Sequence, residues 1–176
     1  NESGEAWKVA IARRNGPTAL IFSRQNTPTL DRSIFTPASE LAKGAYVLAD
    51  IGDGDPQLIL MASGTEVGLI VKAGLRLAAE GIGVRLVSFP SWELFEAQDE
   101  AYRNLVLPPQ VKARLAVETG VAQGWERWVG DRGAVLAQER FGASAPYQRV
   151  YAEFGFTVEH IMEMAMGLVR KSEYTK

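Results

Sequence analysis

Apolar residues along the chain form short continuous runs that alternate with stretches of helical spacing. The runs Thr18–Ser23 (TALIFS) and Gln57–Ala62 (QLILMA) have the length and continuity of strands buried on both faces. Apolar residues three and four positions apart predict helices at 5–14, directly after Glu66 and from Thr157 onward. Shorter apolar runs predict four more strands, at 46–51, 84–89, 113–118 and 133–137.

Strands that alternate with helices indicate a mostly parallel sheet, because parallel neighbours need a crossover connection. The strands at 46–51 and 57–62 are separated only by a Gly- and Pro-containing turn, so they must run in opposite directions. We therefore predict a three-layer α/β fold, with helices on both faces of a mixed sheet of about five strands. One edge strand of that sheet should be antiparallel to the others.

The first helix and strand stand apart from this pattern. Residues 24–44 are polar, contain Pro28 and Pro37 and show no sustained periodicity, which is typical of a linker. A strand of the buried type with no sheet of its own also indicates missing upstream sequence. We predict three parts: residues 1–25 are a helix and strand from another α/β domain, residues 26–43 are a linker, and residues 44–176 are the main domain.

Composition narrows the function classes. The chain has 176 residues, 47% of them hydrophobic and 23% charged, and a net charge of −2, as in ordinary globular proteins. The sequence has no basic run, so nucleic acid is a poor candidate partner. It also has no long apolar stretch and no signal-peptide pattern, so we predict no membrane contact and a cytoplasmic location. The absence of Cys and the presence of a single His, His160, exclude disulfides and Cys/His metal sites.

Ligands of open α/β sheets bind beyond the carboxyl ends of the strands, so residues there are candidate site residues. Ser63, Gly64 and Thr65 lie between a strand and a helix, where free amides favour an anion. The alternative is a capping box, in which Ser63 and Glu66 bond the first amides of the helix. Glu118 ends another predicted strand and serves either in acid–base chemistry or as a structural acceptor for amides of the next loop.

Other candidates have structural explanations. The turn-rich segment Phe141–Pro146 (FGASAP) is predicted to pack against the sheet edge, with a binding loop as the alternative. His160 falls on the polar side of the last helix, and a surface position is predicted. Three tryptophans are better explained by packing than by cofactor stacking, because indole rings bury large areas in protein cores and interfaces. They are Trp92, Trp125 and Trp128.

Arg24 follows the strand Thr18–Ser23, at the end where ligands bind. Its guanidinium group suits a phosphate or carboxylate, and a structural ion pair is the alternative.

The segment Gly16–Asn26 (GPTALIFSRQN) resembles the part of transketolases in which the pyrimidine-binding domain ends in a strand followed by Ser-Arg-Gln. Further segments resemble transketolase C-terminal domains in the same order, so that the similarity covers essentially the whole chain. These are GAYVL at 44–48, MASGTEV at 61–67, VRLVSFP at 84–90, AVETG at 116–120, FGASAP at 141–146 and FGFTV at 154–158.

The resemblance implies a homodimeric enzyme that uses thiamine diphosphate and Mg²⁺ or Ca²⁺ to move a two-carbon ketol unit from a ketose phosphate to an aldose phosphate. In that family the arginine matched by Arg24 contacts the phosphate of the sugar substrate. The cofactor motifs and catalytic residues belong to domains outside this sequence, so we expect no catalytic residue and no metal ligand here. The chain alone should be inactive, with a scaffold and dimer-contact role.

Two alternatives stay open. A dihydroxyacetone synthase resembles transketolases in this region and differs in its acceptor, formaldehyde. The C-terminal domain of another thiamine-dependent enzyme belongs to the same alternative. A stand-alone module for anion binding or dimerisation would have no activity at all.

Overall fold

The structure, a computed structural model, describes residues 1–173 of the chain. Five strands and seven α-helices occur in this range, together with 3₁₀ turns at Ala38–Lys43 and Gly64–Glu66. The strands are β1 Tyr46–Ile51, β2 Leu58–Ala62, β3 Val84–Ser88, β4 Ala113–Val117 and β5 Ala134–Leu136. The helices are α1 Glu2–Ala12, α2 Val67–Ala79, α3 Trp92–Glu96, α4 Glu100–Val106, α5 Glu126–Val129, α6 Tyr147–Glu153 and α7 Val158–Glu173.

The strands form one sheet in the order β1-β3-β2-β4-β5. Strands β2 to β5 pair in parallel, whereas β1 pairs with β3 in the antiparallel direction at one edge. The predicted mixed sheet with an antiparallel edge strand is therefore confirmed. However, β1 is not the neighbour of β2, because β3 lies between them and the turn at 52–57 spans that gap.

Helices cover both faces of the sheet, as predicted. On one face α2 and α7 pack against each other and against the strands, with Ile70, Leu77 and Ile161 fully buried. On the other face α3, α4 and α5 bury an aromatic cluster around Phe89 and Phe95. All five residues of β2 are buried, which explains its uninterrupted apolar sequence.

Helix α2 lies unusually close to β3. A Cβ atom added at Gly74 would lie 2.8 Å from Cδ2 of Leu86, so a larger residue there would force the Leu86 side chain to shift. The helix ends as predicted at Gly81, whose φ of 86° is in the left-handed region.

Helix α1 is held against the sheet by an acidic side chain. The carboxylate of Glu2 accepts hydrogen bonds from Tyr46 Oη and Ser88 Oγ, each at 2.6 Å. Ser88 is fully buried, and burial is the main reason that the pKa of Tyr46 lies above its usual value. Arg32 adds a bond to Tyr46 Oη at 3.2 Å, so part of the segment before residue 44 also contacts the main domain.

The prediction of a strand at Thr18–Ser23 is wrong for this structure. The segment pairs with none of the five strands, and Ile21 is 93% and Phe22 50% exposed. A strand needs a neighbour to bond its amides and carbonyls, and the described residues offer none. The preceding helix is confirmed, although it occupies Glu2–Ala12 rather than 5–14.

The segment Phe141–Pro146 was also predicted incorrectly. It does not pack against the sheet edge: its residues are exposed, and Phe141 is 98% exposed. It leads into α6, which was not predicted although Tyr147, Val150 and Tyr151 show helical spacing. Within residues 1–173, the structure contains no helix with the length and hydrophobicity needed to cross a bilayer.

Candidate functional site at the carboxyl edge of the sheet

The sheet reverses its winding between β2 and β4. From β2 the chain crosses to β3 on one side, and it then returns to β4 on the other side. Such a switch point opens a crevice at the carboxyl ends of the two strands, where α/β proteins usually bind ligands. Residues 63–66 follow β2 and residues 118–120 follow β4, so two of the predicted site segments meet at this crevice.

A buried carboxylate occupies one side of the switch point. Glu66 is only 3% exposed, and its Oε1 accepts hydrogen bonds from Thr65 Oγ1 and, at 2.5 Å, from Tyr151 Oη. Its Oε2 accepts a third bond from Thr119 Oγ1 at 3.3 Å. We call these four residues the Glu66 cluster; hydroxyl donors compensate for the burial of the carboxylate.

The contacts of the Glu66 cluster show that the predicted capping box of Ser63 and Glu66 is wrong. Ser63 makes no side-chain bond to the helix start, and the carboxylate of Glu66 instead accepts bonds from the hydroxyl groups of Thr119, in the loop after β4, and Tyr151, in α6. The negative charge favoured at the start of α2 is thus supplied by Glu66 itself. Anion binding at Ser63, Gly64 and Thr65 stays a prediction. The roles of Thr119 and Tyr151 had no signal in the sequence, since they lie 53 and 85 residues from Glu66.

Glu118 occupies the other side of the switch point. It accepts a hydrogen bond from the main-chain amide of Gly120 at 2.7 Å, which confirms the predicted structural acceptor. Burial raises the pKa of Glu118; the Gly120 bond opposes this shift, and the charge of Glu66 adds to it. The negative charge of Glu118 is therefore less well stabilised than the charge of a glutamate in water.

Next to Glu118 the carboxyl edge opens into a crevice of about 210 Å³, which we call the switch-point crevice. Its wall is aromatic: Trp92 meets Trp125 edge to face at a centroid distance of 5.3 Å, and Phe89 meets Trp125 at 5.5 Å. The tryptophans are part of the packed core, as predicted. Trp125 is 2% exposed, and Trp128 contacts Phe89 and Phe95.

A larger groove of about 680 Å³ runs between α1, the segment after it and the start of α2. Ser23, Gln25 and Asn26 line it together with Gly64, so the structure brings the Ser-Arg-Gln-Asn segment to the same groove as the loop after β2. Arg24 itself is exposed and is not among the lining residues.

His160 lies near the main chain of the turn that follows α6. Nδ1 of His160 lies 2.9 Å from the carbonyl oxygen of Gly155, and the side chain is partly buried rather than fully on the surface. In the part of the chain that the structure describes, no three His, Cys, Asp or Glu residues are grouped so that they could hold a metal ion.

Comparisons with known proteins agree with one another. The family model of the transketolase-like TK C-terminal domain matches residues 44–157. A transketolase of Geobacillus stearothermophilus is 48% identical over 97% of this chain, but the match covers only 26% of that protein. Solved transketolase structures from Leishmania mexicana and Pichia stipitis have TM-scores of 0.87 and 0.88. They are 38% and 32% identical, cover 97% and 98% of this chain, and each is matched over 24% of its length.

This chain therefore spans about a quarter of the length of the relatives it matches. Because the family model covers well over half of the sequence and the fold agrees, the chain belongs to the family of transketolase-like C-terminal domains.

Proposed function

We propose that this chain is the C-terminal portion of a transketolase, an enzyme that transfers a two-carbon ketol unit between ketose and aldose phosphates. The supporting observation is the extent of the similarity. The family model begins at residue 44, whereas the 48% identity to the Geobacillus transketolase extends over 97% of the chain, so residues before the C-terminal domain also match.

On this proposal residues 1–25 complete the pyrimidine-binding domain, residues 26–43 are the linker and residues 44–176 form the C-terminal domain. The exposure of Ile21 and Phe22 supports the first assignment, because an apolar run of the strand type is costly to leave in water. In the longer enzyme this run would pair with the sheet of the pyrimidine-binding domain.

Arg24 is the proposed contact to the substrate phosphate. It follows directly on the apolar run, and its exposed guanidinium group lies in the segment that borders the large groove. A guanidinium fork can donate two parallel hydrogen bonds to phosphate oxygens. The Pichia stipitis structure is described as a complex with sedoheptulose 7-phosphate, which is a phosphorylated ketose of the proposed substrate class.

The described residues do not fit the cofactor that this reaction needs. Thiamine diphosphate supplies an electron sink for carbanion chemistry, and its diphosphate is held through a divalent metal. Residues 1–173 contain no group of three or more His, Cys, Asp or Glu residues that could hold such a metal. We assign Mg²⁺ or Ca²⁺ and the cofactor to the other domains of the longer, cytoplasmic enzyme, and no catalytic step to this chain. Its proposed role is scaffold and homodimer contact.

The test is an assay of the longer gene product beside the 176-residue chain. The longer protein with thiamine diphosphate and Mg²⁺ should transfer the ketol unit from xylulose 5-phosphate to ribose 5-phosphate, and the 176-residue chain should not. Preference for formaldehyde as acceptor would instead identify a dihydroxyacetone synthase. Turnover by the 176-residue chain alone would refute the domain assignment.

A further inference from the structure

The switch-point crevice has no role in the proposed function, although it lies where α/β sheets commonly bind ligands. Its volume of about 210 Å³ is below that of a drug-sized pocket and suits a molecule of a few carbon atoms. Two carboxylates, Glu93 and Glu118, and two hydroxyl groups, Ser63 and Ser91, line it, and its described lining contains no Lys, Arg or His.

The rings of the aromatic wall already pack edge to face against one another. Trp92 is wedged against Trp125 and Gly124, and a Cβ atom at Gly124 would lie 2.6 Å from Cζ3 of Trp92. Gly124 also has a φ of 92°, which favours glycine, and a larger side chain at this position would displace the ring of Trp92. Trp92 is partly exposed, and it can therefore offer ring surface to a ligand without rearrangement of the core.

Glu118 supplies a negative charge that the protein only partly compensates. Its hydrogen-bond donors, the amide of Gly120 and the indole of Trp125, are neutral, and the second carboxylate of the switch point, Glu66, adds to the unfavourable burial. A cation beside Glu118 would relieve both effects. A metal ion is a poor candidate, because hard cations need six or more oxygen ligands and indole rings provide none.

We propose that the switch-point crevice binds a small organic cation. Its ammonium or guanidinium group pairs with Glu118 while its carbon atoms pack on the indole ring of Trp92. The ring adds a cation–π attraction that is strongest for tryptophan. The two carboxylates disfavour phosphates and other anions at the same place, so the crevice selects a positively charged ligand.

The test is a titration of the 176-residue chain with agmatine, a small molecule with one ammonium and one guanidinium group, followed by calorimetry and by the NMR signal of the Trp125 indole N–H. We expect saturable binding with a dissociation constant below about 10 mM and a shift of that signal. Glu118→Gln should weaken binding about tenfold or more, since a charge-assisted bond is lost. Trp92→Leu should weaken it several-fold.

Asp53→Asn is the matched control. It removes the same charge from the turn before β2, at the opposite edge of the sheet, and should leave agmatine binding unchanged. Gln keeps an oxygen for the amide of Gly120, so Glu118→Gln should still fold; if it does not, Trp92→Leu and Glu93→Gln decide. No saturable binding, equal weakening by Asp53→Asn, or tighter binding of inorganic phosphate than of agmatine would each overturn the proposal.

Discussion

Replacing Tyr151 by Phe tests the Glu66 cluster, in which a buried carboxylate is compensated by hydroxyl groups alone. Tyr151 Oη donates to Oε1 of Glu66 at 2.5 Å and also lies 2.7 Å from Thr65 Oγ1. A hydrogen bond to a charged group contributes about 1.5–3 kcal/mol. Thr65 still donates to the same carboxylate oxygen after the change, so we expect the lower end of this range, about 1.5 kcal/mol.

Urea unfolding of the 176-residue chain measures this loss. With an m value of about 2 kcal/mol/M, the midpoint should fall by roughly 0.7 M. Tyr147→Phe is the control, because Tyr147 is 40% exposed and stacks edge to face on Tyr151. Its effect should be within about 0.5 kcal/mol.

Two further measurements sharpen the test. A double-mutant cycle of Tyr151→Phe with Glu66→Gln should show coupling of about 1 kcal/mol. Burial, followed by the bond to Glu66, raises the pKa of Tyr151 to about 12, whereas an unfolded tyrosine titrates near 10. The stabilisation by the hydroxyl should thus be complete below about pH 10 and lost as the pH rises through about 12. Equal losses in Tyr151→Phe and Tyr147→Phe would refute the reasoning.

Three further changes probe other parts of the domain. Gly44→Ala should lower the free energy of unfolding by several kcal/mol, because a Cβ atom there would lie 2.2 Å from the main-chain nitrogen of Phe95. Gly54 has a similar φ but open space around it, so Gly54→Ala should lower the free energy of unfolding by about 1 kcal/mol in the same urea assay. Arg114→Met should destabilise by about 3 kcal/mol, since the guanidinium group donates to four main-chain carbonyls at 2.9–3.1 Å; a loss below about 1 kcal/mol would contradict this. Burial raises the pKa of Glu118 above 4.5, so its contribution to stability is present below that pH and is lost as the pH rises through the folded pKa. Glu118→Gln should therefore gain stability relative to the unmodified chain as the pH rises above 4.5, and parallel pH profiles would contradict the shift.

The sheet could be predicted from the sequence because its strands carry the periodicity that burial imposes. β2 is uniformly apolar, since both of its faces are covered, and α2 shows a stripe ending at Gly81. The same logic failed for Thr18–Ser23. An apolar run indicates that a segment suits a buried strand, but pairing depends on neighbours that the described chain does not provide.

The candidate site was only partly predictable. The loop after β2 and Glu118 could be located because the carboxyl ends of parallel strands converge at one edge. The partners of Glu66 could not, since Thr119 and Tyr151 reach it from the loop after β4 and from α6, through contacts that no local pattern records. The capping-box prediction failed for this reason, because local spacing favoured a bond to the nearby amide over bonds to distant hydroxyl groups.

The role of Arg24 is the most direct test of the proposal that this chain completes a transketolase. The longer enzyme should be compared with its Arg24→Ala variant, using xylulose 5-phosphate and unphosphorylated xylulose as donors. Arg14→Ala, which removes an exposed arginine upstream of the apolar run, is the control. We predict that Arg24→Ala lowers kcat/KM for the phosphorylated donor about 10- to 150-fold, mainly through KM, and leaves the unphosphorylated donor unaffected. Equal effects on both donors, or no effect on either, would contradict the assignment.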